Sequence, residues 1–148
     1  MTGRSLLLLS GPNLNLLGER EPEMYGTQTL DDLVAAARTR AAGRGLDLVH
    51  LQSNSEADLV EAVQAARGKH VGIVVNAGAL THYGWSLHDA LATYDGVIIE
   101  LHLTNPAARE SWRHLSVLAP VARGTIAGVG AQGYELAIDA AATILEAT

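Results

Sequence analysis

Four short segments of this chain, SLLLLS (5–10), LDLVHL (46–51), VGIVVN (71–76) and GVIIELHL (96–103), are apolar along most of their length instead of at every second position. A strand with one wet face must alternate. A strand covered on both faces need not, and such runs belong to parallel sheets enclosed between helices. A weaker fifth run, ARGTIAGV (122–129), follows them. Helical patterns separate the runs. Leu30, Leu33, Val34 and Ala37 share one face behind Thr29 and Asp32, which have capping-box spacing. Ser55 and Asp58 repeat that spacing ahead of Leu59, Val60 and Val63, and Tyr134, Ile138, Ala141 and Leu145 stripe a closing helix over about 132–146.

Strand, helix, strand in repetition, with right-handed crossovers, puts helices on both faces of one sheet. The expected fold is a flavodoxin-like three-layer α/β/α sandwich whose five parallel strands run in the order 2-1-3-4-5. The chain has no phenylalanine, so its core must be aliphatic. Its 148 residues suit a single domain spanning 1–148, large enough to bury a core without disulfide or metal staples.

Composition removes several classes of function. A net charge of −6 offers no basic stripe for a nucleic-acid backbone, and an anionic substrate would need donors placed locally. With no cysteine there is no disulfide, thiol nucleophile or thiolate metal site, which fits a reducing, cytoplasmic setting. No apolar stretch approaches the length of a membrane span. The single lysine, Lys69, stands just before a strand, whereas ligands of open α/β sheets bind beyond the opposite, carboxyl ends, so imine chemistry is not expected.

At those carboxyl ends the polar residues collect: Asn13 and Asn15 after the first strand, QSN (52–54) after the second, NAGALTH (76–82) after the third, and Glu100 and His102 closing the fourth. That edge is the default site. Glu100 and His102 are two apart on a strand, so they share a face, where a carboxylate fixes the imidazole tautomer and prepares a general acid. A purely structural pair is the competing reading. His82 either starts a helix or touches substrate, and His88 and Asp89 face solvent or a neighbouring subunit. A metal site from His82, His88 and His102 is disfavoured, because a six-residue step does not align side chains on a helix. The run Gly128-x-Gly130-x-x-Gly133 has dinucleotide spacing, but no further strand follows it, so it reads as a turn leading into a helix.

One segment remains unexplained by packing: GPNLNLLGEREPEMYGTQT (11–29), far longer than the usual connection of about 4 to 6 residues. Its first part, GPNLNLLGEREPEMYG (11–26), together with QSNSEADL, NAGALTH, IELHLTN, ARESWRHLS and GVGAQGY, resembles the type II 3-dehydroquinate dehydratases from end to end and in order. The resemblance implies a lyase of aromatic amino-acid biosynthesis, the shikimate pathway, with no cofactor and no metal, assembled as a dodecamer of trimers. It implies anti elimination of water from 3-dehydroquinate through an enolate to 3-dehydroshikimate. In that scheme Tyr25 is the base and Arg20 its neighbour on a mobile lid, Asn76 holds a water at the enolate, His102 protonates the departing hydroxyl and Glu100 supports it. The backbone of Leu103 and Thr104 would hold the carboxylate, His82 and Arg113 the ring hydroxyls, Asn13 the lid tyrosine, and Asp89 would arrive from an adjacent subunit. A paralogue acting on a related quinate-like acid and a non-catalytic binding protein are the alternatives.

The lid follows from energetics. An ordinary phenol, with a pKa of about 10, is only ~0.1% ionised at pH 7. A cation about 4 Å away supplies ~4 kcal/mol at an effective dielectric near 20, but only ~1 kcal/mol in open water. The segment must therefore close and exclude solvent. Where the family usually carries small hydroxylated residues and then an aliphatic one after His82, this chain has Tyr83, Gly84 and Trp85, which implies either a changed subunit contact or a reshaped pocket. His88 stands where arginine is common.

Overall fold

The structure is a computed structural model that describes residues 3–147. Five parallel strands, β1 (Ser5–Ser10), β2 (Asp47–Gln52), β3 (Gly72–Asn76), β4 (Val97–His102) and β5 (Gly124–Ala127), pair in the order β2-β1-β3-β4-β5. The expected order is therefore the observed one. Strand boundaries move by a residue or two; β2 runs one residue later than the apolar run because Gln52 still pairs with Ser10.

Helices α2 (Leu30–Gly43) and α5 (Gln132–Glu146) cover one face of the sheet, while α3 (Glu56–Ala66) and α4 (Trp85–Ala92) cover the other. The side chains of β1 divide accordingly. Leu6 and Leu8 join the cluster with Val34, Ala37 and Ile138, and Leu7 and Leu9 join that with Leu59, Val63 and Leu87. This is why β1 can be apolar at consecutive positions. Burying each leucine contributes about 1.5–3 kcal/mol.

Helix α2 starts on a complete capping box, with Thr29 Oγ1 accepting from Asp32 N–H and the Asp32 carboxylate accepting from Thr29 N–H. The matching box expected at α3 is only half formed. Ser55 accepts from Asp58 N–H, but the Asp58 carboxylate accepts instead from the Ser53 hydroxyl at 2.6 Å. A hydroxyl donor two residues upstream displaced the backbone donor.

Two glycines bring the loops after β1 and β3 together. At Gly11 a Cβ would lie 2.4 Å from the Ala77 carbonyl oxygen, and Gly78, at φ +59°, would set a Cβ 2.9 Å from the Pro12 carbonyl oxygen. The left-handed backbone at Gly78 and the close approach at Gly11 both require a residue without a side chain. The two loops meet where the strand order reverses, and open the crevice beside it.

Candidate active site

The crevice is lined by residues from three connections and two strand ends: Pro12, Asn13, Leu14, Arg20 and Tyr25 after β1; Asn76 at the end of β3, with Gly78, Ala79 and His82 after it; and His102 at the end of β4, with Leu103, Thr104, Pro106, Arg109 and Arg113 after it. Most residues expected at the site therefore meet there. Glu100 lies directly behind His102. Asp89 does not join them, being exposed on α4 away from its own chain's crevice.

The segment 11–29 is not featureless. A helical turn at Leu14–Leu16 and a four-residue helix, α1 (Pro22–Tyr25), interrupt it, the latter begun by a proline whose fixed φ suits a first helical position. Neither was expected from the sequence, since both are too short to show periodicity. Leu14 and Leu17 are buried at one end and Leu30 at the other, and no residue between Leu17 and Leu30 is buried. This flap is tied down at its ends, and between them the half-buried Tyr25 packs against the core cluster. Arg20 and Tyr25 are its two contributions to the crevice. The Arg20 Nη2 donates to the Tyr25 hydroxyl at 3.4 Å, and its guanidinium sits 4.5 Å from the ring centroid.

Arg109 was not singled out from the sequence, yet its guanidinium lies 5.2 Å from the same ring centroid. It donates to the Thr104 hydroxyl at 3.3 Å, while its Nε, 3.6 Å from Glu110, is buried without a hydrogen-bond partner. Its signal was its place in the loop after β4, four residues before Arg113. Arg113 is held by Glu110 at 3.1 Å and lies 4.0 Å over the Trp112 ring. Three guanidinium groups thus face one crevice of an acidic protein, which supplies the local donors that an anion requires.

Opposite the flap, β4 ends in a buried pair. Glu100 Oε2 accepts from His102 Nε2 at 2.5 Å, and Glu100 is 1% exposed. A carboxylate only accepts, so Nε2 carries its hydrogen and Nδ1 is left for the crevice. His82 lies beside it, with ring centroids 6.4 Å apart and nearly parallel. Burial first, then the His102 and Arg113 charges, push the His82 imidazole below its ordinary pKa, so it is neutral at pH 7. Its Nδ1 donates to the Leu115 carbonyl at 2.7 Å, which leaves Nε2 as a hydrogen-bond acceptor suited to a hydroxyl.

Asn76 is fixed at both ends of its amide. Its Nδ2 donates to the Tyr134 hydroxyl at 3.1 Å, and its Oδ1 accepts from Gly78 N–H at 3.3 Å. Burial pushes the Tyr134 phenol up to about 12, so it stays neutral and can accept that bond. The QSN residues serve the loops instead of lining the crevice. Gln52 donates to the Gly11 carbonyl at 3.1 Å, and Asn54 Oδ1 accepts from Asn13 N–H at 3.0 Å, where Asn13 has φ +69°. Leu103 and Thr104 follow the last paired residue of β4, and the Leu103 carbonyl accepts from Gly130 at 3.0 Å, so the glycine run is indeed a turn before α5. Tyr83 and Trp85 are exposed and line no part of the crevice. Among the described residues no group of three or more histidine or carboxylate side chains is placed to hold a metal ion, and no helix is long and apolar enough to cross a membrane.

A family model described as Dehydroquinase class II matches residues 4–142. The chain belongs to the class II dehydroquinases. This dehydroquinase is 53% identical over 139 residues to 3-dehydroquinate dehydratase 1 of Corynebacterium efficiens, an alignment spanning 94% of this chain and 91% of that one. It is 53% identical over 141 residues to the 3-dehydroquinate dehydratase of Ruegeria pomeroyi, spanning 95% of each. The crystal structure of the type II dehydroquinase from Propionibacterium acnes superposes on the dehydroquinase with a TM-score of 0.90 at 42% identity, over 97% of this chain and 98% of that one.

Proposed function

We propose that this class II dehydroquinase is a 3-dehydroquinate dehydratase, a hydro-lyase that removes water from 3-dehydroquinate to give 3-dehydroshikimate in the shikimate pathway. The observation that carries the reading is one crevice with a flap phenol between the guanidinium groups of Arg20, on the flap, and Arg109, in the loop after β4, and a carboxylate-backed imidazole on its floor. A base and an acid facing each other from different elements are what anti elimination needs.

The phenolate of Tyr25, stabilised by Arg20 and Arg109, takes the proton at C2. The electron pair left on carbon delocalises into the C3 carbonyl to give the enolate, and a water held by the free hydrogen of the Asn76 amide hydrogen-bonds the enolate oxygen. His102 Nδ1 then gives its proton to the C1 hydroxyl as the C1–O bond breaks, the enolate electrons form the C1–C2 double bond, and water departs. Glu100 holds the imidazolium in place through Nε2. Arg113 and neutral His82 take the ring hydroxyls, the backbone of Leu103 and Thr104 the carboxylate, and Asn13 supports the flap tyrosine. A proton donor at the leaving oxygen is worth about 10²–10⁴ in rate.

Asp89, exposed on α4, is read as serving the crevice of an adjacent subunit in a dodecamer of trimers, and the protein as cytoplasmic. Exposure of Tyr83 and Trp85 favours a changed subunit contact over a reshaped pocket. Adding 3-dehydroquinate and following ultraviolet absorbance of the conjugated enone tests the activity. No absorbance change under saturating substrate would refute it.

A further inference from the structure

We infer that Ser116 is a positioning residue that aims the Glu100 carboxylate at His102. The inference rests on the dehydratase reading for its kinetic arm and on hydrogen-bond accounting for its geometry. A serine hydroxyl has one proton to give and two lone pairs to fill. Both acceptor positions of Ser116 Oγ are taken by backbone, from Leu118 N–H at 3.1 Å and Ala119 N–H at 3.0 Å. Its only proton is thereby directed to Glu100 Oε1, 3.0 Å away. The other carboxylate oxygen, Oε2, faces His102 Nε2.

The carboxylate thus has one oxygen pinned by a hydroxyl that cannot turn elsewhere, which fixes its plane and the direction of the imidazole bonded to its second oxygen. Two N–H donors on Oγ also polarise the hydroxyl and strengthen what it donates. The loop that carries Ser116 is anchored in the core directly after it. Val117 and Leu118 are 2% and 0% exposed, and Val117 N–H donates to the Thr81 carbonyl at 2.8 Å. The same short segment accepts the His82 imidazole at the Leu115 carbonyl. Residues 115–118 therefore orient both ring systems on the floor of the crevice while contributing no side chain to its wall.

A purely structural role, capping the turn at Ala119–Val121, is the rival, and the partitioning of the enolate separates the two. In D2O the enolate either returns to substrate with deuterium at C2 or loses the C1 hydroxyl to give product. The ratio of deuterium in recovered substrate to product formed is independent of how much enzyme is folded. In Ser116→Ala that ratio rises about tenfold as His102 loses its aim, and in Ser116→Thr, which keeps the hydroxyl, it returns to within about twofold of the natural enzyme. An unchanged ratio in Ser116→Ala overturns the proposal. If the natural enzyme fails to convert 3-dehydroquinate, the dehydratase reading falls instead, and the positioning role is then decided without substrate by the downfield proton resonance of the His102–Glu100 bond. That resonance shifts or broadens in Ser116→Ala and persists in Ser116→Thr; persistence in both overturns the proposal.

Discussion

Tyr25 is the residue on which the chemistry turns, because it is the phenol in the crevice with a guanidinium within hydrogen-bond reach. Tyr25→Phe keeps the ring that stacks against both arginines and removes only the oxygen. Turnover should fall by about 10³-fold or more while substrate binding, measured by calorimetry, survives; unimpaired turnover would take Tyr25 out of the mechanism. Arg109 is the sharper test of the electrostatic account, since it lies over the ring without bonding the hydroxyl. Arg109→Ala should lower kcat by about 10²-fold, and Arg109→Lys should recover only part, because a compact ammonium cannot both reach Thr104 and lie over the ring. Equal kcat for the alanine and lysine variants would show that its positive charge is not what matters.

At the scale of elements, the crevice depends on two loops that touch backbone to backbone. Gly11→Ala should cost about 1–3 kcal/mol in urea unfolding, because the added carbon meets the Ala77 carbonyl and the strand ends must part. Activity should fall further than stability, since Asn13 and Asn76 flank the contact. A variant as stable and active as the parent would mean that the loops yield easily. The strands and their order could be read from the sequence, because burial on both faces leaves an unbroken apolar run and the connections are stereotyped. Glu100 and His102 were legible for the same reason, two residues apart on one strand. Arg109, Ser116 and Tyr134 were not. Each acts through a partner far away in the chain, at Tyr25, Glu100 and Asn76, and no local period records such a pairing. The half-formed capping box at α3 failed for a neighbouring reason, in that Ser53 competed for the same carboxylate.

For the whole molecule, histidines set the response to acid. Burial lowers the pKa of His50, His70 and His82 below the ordinary value, with Arg38 adding to the effect at His50 and Lys69 at His70. The unfolded chain then binds protons before the folded one does. Stability contributed by these groups is present above about pH 6.5 and is lost as pH falls from there through their folded values. Urea midpoints should drop between about pH 7.5 and 5.5, and His50→Gln should flatten the change; a steeper change would reverse the sign of the argument. The two tryptophans of the chain, Trp85 and Trp112, are 61% and 49% exposed, one 5.5 Å from His88 and the other 5.5 Å from His82 with Arg113 over its indole. Neither sits in the aliphatic interior. Intrinsic fluorescence is consequently a poor thermometer of melting here and a good dye for the mouth of the crevice: emission should barely redden on denaturation, yet change when a ligand engages His82 and Arg113, the two crevice residues in contact with the Trp112 ring.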